Sequence, residues 1–320
     1  MDPNWDRNPE VYARQVIDRC GFTRPPICER AVSQFFGNEV KEVSPSDPDI
    51  AAVFPAIGKI FKKSSAHLFR EHSLIVVNKD QPRVKIRMDI FHENGHEALP
   101  WQRESAYVCA DSGIDAKLRR QVESEAFACG IAMMLPDKMF LSDMDGNALS
   151  EKLIRSLAQR YDASLEVTAM RFVGLHEGEC AMLVCEPSNA REKEMDFSAQ
   201  EMMEYDFTSP QKLPSVVLTY GGQSLSAERN CPLQIRYSIC SPNFKKFFRA
   251  RTPIPEESPI FYTFKTGDPF AGLLHPDELG SIHTHAQSPY TCECFKFGSH
   301  AEPKVMVLLY PENHQQSDLF

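Results

Sequence analysis

Residues His92-Glu93-Asn94-Gly95-His96 set two imidazoles four positions apart, with a carboxylate beside the first. On an extended strand those rings would stand about 13 Å apart, whereas on a helix they stack one turn apart on a common face. A chain that uses both rings together must be helical here and must pack that helix against other structure. The flanks agree, with Ile90 and Phe91 before the motif and Ala98 and Leu99 after it. Two such rings can share one Zn²⁺, and Glu93 is placed to take a proton from a water on that ion. A catalytic tetrahedral site of this kind needs a third protein ligand and one open position. A second helical stretch, 115–135, carries Glu123-Ser124-Glu125-Ala126. Its two acids lie about 200° apart around a helix, so one of them can face the metal, and spacing leaves either open.

The remaining chain reads as α+β. Pro9 to Cys20 and Ile27 to Phe36 have helical spacing, as do Arg83 to Glu97 and the 150–175 segment. Ser73 to Val77 and Cys180 to Cys185 read as strands. The polar stretch 187–206 reads as a linker, which places a first domain at 1–187 and a second, α+β or mainly β, at 207–320. On that reading a chain ending near Cys185 keeps His92, His96 and both acids that could be the third ligand. With 35 Lys+Arg against 44 Asp+Glu the net charge is −9, which disfavours direct nucleic-acid binding. No apolar run approaches the about 18 residues of a membrane-spanning helix. The polar start Met1–Glu10 is unlike a signal peptide, and the ten cysteines are spread through apolar stretches as small hydrophobes. A cytoplasmic protein is the expectation.

From about Val11 to Cys185 the chain resembles the ImmA/IrrE-type zinc metallopeptidases, a gluzincin-like family. The resemblance rests on Arg-Pro-Pro-Ile at 24–27 and His-Glu-x-x-His-Glu-x-Leu-Pro-Trp at 92–101. It extends to Glu-x-Glu-Ala and Met-Leu-Pro within 123–136, and to Leu-Ala-x-Arg-Tyr-Asp-Ala-Ser with Arg171 at 157–171. It departs at Phe127, where the family usually has Asn, and at Cys129, where the family usually has a bulky apolar residue. The resemblance implies a zincin-like domain with a small sheet and a helix-turn-helix-like segment at 150–175. It makes His92, His96 and Glu123 the Zn²⁺ ligands and Glu93 the general base. It also implies endopeptidase action on a regulatory protein such as a helix-turn-helix repressor supplied as a separate chain. Two rivals stand beside it. One is a pseudo-peptidase that binds a repressor or toxin without cleaving it; the other is a DNA-binding regulator with a structural zinc.

Other features are less specific. Arg103 and Tyr107 are candidates for stabilising the oxyanion. His283 and His285, Cys292 and Cys294, and His300 could hold a second metal, although Cys-x-Cys is not the usual structural-zinc spacing. Lys245, Lys246, Arg249 and Arg251 beside Phe244, Phe247 and Phe248 read as the solvated face of a helix. The 207–320 domain holds no further motif of catalytic spacing, so sensing or substrate docking is its expected role.

Overall fold

The computed structural model describes residues 7–48, 61, 65–104, 116–188, 233–244, 248–279, 289–299 and 302–311. Helix α1 (Pro9–Cys20) begins where the Asn8 side chain accepts from the Glu10 N–H and Pro9 fills the first turn. Helix α2 (Glu29–Phe35) and strand β1 (Glu39–Val43) follow. Strands β2 (Ala66–Phe69) and β3 (Leu74–Asn78) complete a three-stranded sheet of order β1-β3-β2. In it β1 runs parallel and β2 antiparallel to β3. Alternation along β3 turns Ile75 and Val77 to one face, where they pack with Ile86 and Ile90 of helix α3 (Arg83–Ala98). Those two isoleucines are one turn apart, so the sheet takes one face of α3 and leaves its other faces for helices.

Helices α4 (Pro100–Glu104), α5 (Ala116–Met134) and α6 (Asp137–Met144) follow. Arg87 fastens α3 from below. Its guanidinium lies 2.5 Å from Glu29 and donates to the carbonyls of Ile27, Tyr161 and Asp162 at 3.1, 3.3 and 2.9 Å. Both partners of the ion pair are buried, with side chains 3% exposed, and every lobe of the guanidinium is engaged.

A second compact unit holds a five-stranded antiparallel sheet of order β5-β4-β8-β7-β6. Its strands are β4 (Ala181–Pro187), β5 (Leu233–Cys240), β6 (Phe270–Leu274), β7 (Tyr290–Gly298) and β8 (Pro303–Pro311). One face carries Leu183, Ile235, Cys292, Cys294, Val305 and Val307, packed with Phe248 and with Ile260 of a short helix, Pro259–Thr266. Strand β4 falls before the expected boundary at 187, yet it hydrogen-bonds on both sides to strands that come after it.

Helices α7 (Glu151–Tyr161) and α8 (Leu165–Leu175) form the expected pair at 150–175, with Ser164 accepting from the Val167 N–H. The division between the two units falls inside both helices, after Ser156 and after Val167. Val167 to Val173 are all buried, so this part of α8 presents no face to a nucleic-acid groove. The basic cluster also differs from expectation. Of its described residues Arg249 lies in irregular backbone and Arg251 in a turn, and Phe244 and Phe248 are core residues with ring centroids 5.8 Å apart. Lys245, Lys246 and Phe247 lie outside the described residues, as does the 189–232 stretch that holds most of the expected linker.

Candidate metal centre

The centre is made where α3 crosses α5, and two glycines let the helices meet. A Cβ on Gly95 would lie 2.1 Å from the Ala126 carbonyl oxygen, and one on Gly130 would lie 2.9 Å from the Phe91 carbonyl. Both obstacles are backbone, so only glycine permits this approach. The close crossing brings a side chain of α5 within reach of two from α3. His92 Nε2 is 3.1 Å from Glu123 Oε2, His96 Nε2 is 3.5 Å from that oxygen, and the two Nε2 atoms are 3.2 Å apart. The rings meet edge to face, with centroids at 4.7 Å.

A tetrahedral Zn²⁺ with bonds of about 2.0–2.1 Å holds its ligand atoms about 3.3–3.4 Å apart. The three measured separations bracket that value. Among the described residues, His92, His96 and Glu123 are the one group of three or more such side chains close enough to hold an ion. Their electrostatics agree with the fit. Burial pushes the His96 ring down, but Glu123, with Glu93 and Gln102 adding to it, outweighs that and holds the ring up at about 9. Burial pushes Glu123 up, and His96 and His92 outweigh it, leaving the carboxyl well below its ordinary range. The cleft therefore favours positive charge between these three side chains, which a divalent cation can supply in place of a proton.

Glu93 is 9% exposed on the same helix, beside the rings. Glu125 faces elsewhere, as the angle between the two acids requires. Its carboxylate accepts from Trp101 Nε1 at 2.7 Å, from Gln102 Nε2 at 3.1 Å and from Gln121 Nε2 at 2.9 Å. Gln102 Oε1 in turn lies 2.8 Å from His96 Nδ1. In the sequence Glu125 is a rival third ligand and nothing more, and nothing there points to Gln102 or Gly130. Arg70, between β2 and β3, carries no sequence signal either. It donates to the carbonyls of His96 and Gln102 at 3.1 and 3.0 Å and pairs with Glu97 at 2.6 Å, closing the end of α3.

The other candidates divide. Phe127 stands against the His92 ring at 6.2 Å between centroids. Cys292 and Cys294 share one face of β7 and are buried in the second unit's core, where the neighbouring Cys292 thiol and burial push Cys294 up. Tyr107, His283, His285 and His300 lie outside the described residues, and so does the side chain of Arg103.

Residues 56–173 match the family model described as the IrrE N-terminal-like domain. No curated protein matches the chain. Among solved structures, a Mycobacterium tuberculosis transcriptional regulator is similar in fold, with a TM-score of 0.53 and 11% identity. That likeness covers 95% of this chain and 76% of the other. None of the described helices is long and apolar enough to cross a membrane. The stretch that contains both helices of the candidate metal centre thus lies within the match to the IrrE N-terminal-like domain, residues 56–173.

Proposed function

We propose that the chain is a zinc-dependent endopeptidase that hydrolyses a peptide bond in a regulatory protein, with a helix-turn-helix repressor supplied as a separate chain the leading substrate class. The observation that carries this reading is the His92–His96–Glu123 arrangement, whose separations suit one Zn²⁺, with Glu93 beside it. Zinc bound there supplies a Lewis acid and lowers the pKa of a water towards about 7. His92 and His96 would hold the ion through their Nε2 atoms and Glu123 through a carboxylate oxygen. Glu93 accepts the proton of the attacking water and returns it to the leaving amine. The close packing of α3 on α5 keeps these groups in register without rearrangement.

The regulatory part of the proposal draws on the family and on the fold shared with a transcriptional regulator. The second unit is assigned to docking or signal reception, since all four residues of the chemistry lie in the first. A cytoplasmic setting fits the thiols of Cys129, Cys180, Cys185, Cys292 and Cys294, which are buried among apolar neighbours.

The alternative is a binding module that regulates its partner without cleavage. A buried carboxylate next to two metal-ready rings favours the enzyme, because burying an acid that does no work is costly. Glu93→Gln separates the two. The wild type should carry about one zinc per chain by elemental analysis. The variant should keep that zinc and its partner binding and lose cleavage by about 10²–10⁴-fold. Equal behaviour of wild type and variant towards the partner would leave the binding module standing.

A further inference from the structure

Behind the His96 ring runs a chain of buried polar groups that the proposed chemistry does not use. We propose that Gln102 and Glu125 are positioning residues that hold His96 with its Nδ1 protonated and its Nε2 lone pair turned to the metal. The proposal rests on the zinc reading of the site.

The argument begins at the amide. Gln102 Oε1 lies 2.8 Å from His96 Nδ1, and an amide oxygen only accepts, so Nδ1 must carry the hydrogen. Which end of the amide faces the ring is decided on its other side. Gln102 Nε2 is 3.0 Å from the Val122 carbonyl oxygen and 3.1 Å from Glu125 Oε2, and neither of those atoms can donate. Turning the amide over would set its oxygen against two acceptors and its NH₂ against Nδ1–H. Three hydrogen bonds would be lost, so the orientation is determined by the surroundings.

Glu125 is itself held. It is 6% exposed and is fixed by the Trp101 indole and by Gln121 as well as by Gln102. Its charge is thus two hydrogen bonds from the imidazole, where it polarises the Gln102 amide and makes His96 a better donor of electrons to a metal. The Glu-x-Glu spacing acquires a reason from this. One acid of the pair reaches the rings from the front, and the other, on a different face of α5, reaches His96 from behind through Gln102. His92 makes the contrast, because its buried Nδ1 has no hydrogen-bond partner among the described residues. His96 is the preset ligand of the two.

The test uses the zinc-loaded full-length chain, with zinc affinity read by competition against a chromogenic chelator. A second readout is the exchange of the His96 Nδ1–H proton with water, followed by NMR of ¹⁵N-histidine-labelled protein. In wild type that proton should be protected. Gln102→Leu should weaken zinc binding about 10–100-fold and release the proton to exchange. Glu125→Gln, which keeps the shape of the acceptor, should lie between that variant and wild type. General loosening of the fold would lower the melting temperature without selectively exposing one ring proton. Wild-type affinity together with a protected proton in Gln102→Leu overturns the relay and leaves the zinc reading intact. A wild-type chain that binds no zinc overturns the zinc reading instead. Should Gln102→Leu fail to fold, wild type decides alone. Slow exchange of both His96 Nδ1–H and the Gln102 NH₂ protons supports the relay, and rapid exchange of either overturns it.

Discussion

At His96 a proton and the proposed zinc would compete for one lone pair. Glu123 and its neighbours hold the ring up at about 9 against an ordinary value of 6.5. A group raised on folding stabilises the folded state fully below its unfolded value, and that contribution disappears as pH climbs through the folded value. Zinc-free protein should therefore lose thermal stability between about pH 6.5 and pH 9. At the acid end the depressed Glu123 acts in the opposite sense, and its share is lost as pH falls below the ordinary carboxylate range. Zinc bound there would displace the His96 proton, so binding near pH 7.5 should release about one proton per ion from the ring, besides the share given up by a water whose pKa falls towards about 7. Calorimetric titration in buffers of different ionisation enthalpy reads that release directly. A binding heat independent of buffer would show that His96 carries no proton to displace.

At the scale of elements, the crossing of α3 and α5 decides whether the proposed ligands meet at all. Alanine at Gly130 would gain about 1 kcal/mol of helix propensity. Against that, its methyl would press on the backbone of Phe91 and His92, with contacts of 2.9–3.0 Å that no side-chain rotation relieves. Overpacking of this kind costs about 1–3 kcal/mol, and here the strain falls on His92, the first of the proposed metal ligands. Gly130→Ala should lower thermal stability modestly and zinc affinity more clearly, read by melting curves and chelator competition. Unchanged zinc affinity would mean that α5 can retreat without carrying Glu123 away. This crossing also marks the limit of what the sequence makes legible. The i, i+4 spacing of His92 and His96 and the angle between Glu123 and Glu125 are local periodicities, and the structure realises both. Gly95 stands at a free position of the motif and Gly130 inside an apolar run, so neither announces a helix on its far side. Gln102 matters because Pro100 starts a new helical turn that returns it to His96, a non-local outcome. Strand β1, Glu-Val-Lys-Glu-Val, has two apolar residues and an exposed pattern, and only its pairing with β3 makes it a strand.

For the whole molecule the question is whether the two units share one equilibrium. Strand β4 has partners on both edges from residues after 232, so a cut near Cys185 would strip it of both and expose four or more wholly buried side chains. Helices α7 and α8 are each divided between the units, so the chain passes between them more than once. Unfolding one unit would then leave half of two helices without support in the other, and short helices are marginal alone. A sensing role also requires coupling, since a signal received in one unit can alter the other only through a shared equilibrium, and linkage acts equally in both directions. Zinc bound in the first unit should accordingly protect the second. Cys292 and Cys294 provide the readout, being 0% and 1% exposed in the second unit's core and distant in sequence from every proposed zinc ligand. Thiol alkylation of the full chain, resolved by peptide mass spectrometry, reports the opening of that core. If the units open together, zinc at a hundredfold excess over its dissociation constant adds about 2.7 kcal/mol and should slow labelling of both cysteines about 100-fold. Labelling that ignores zinc, while thiols of the first unit such as Cys129 become protected, would make the second unit an independent domain that cannot relay a signal through its stability.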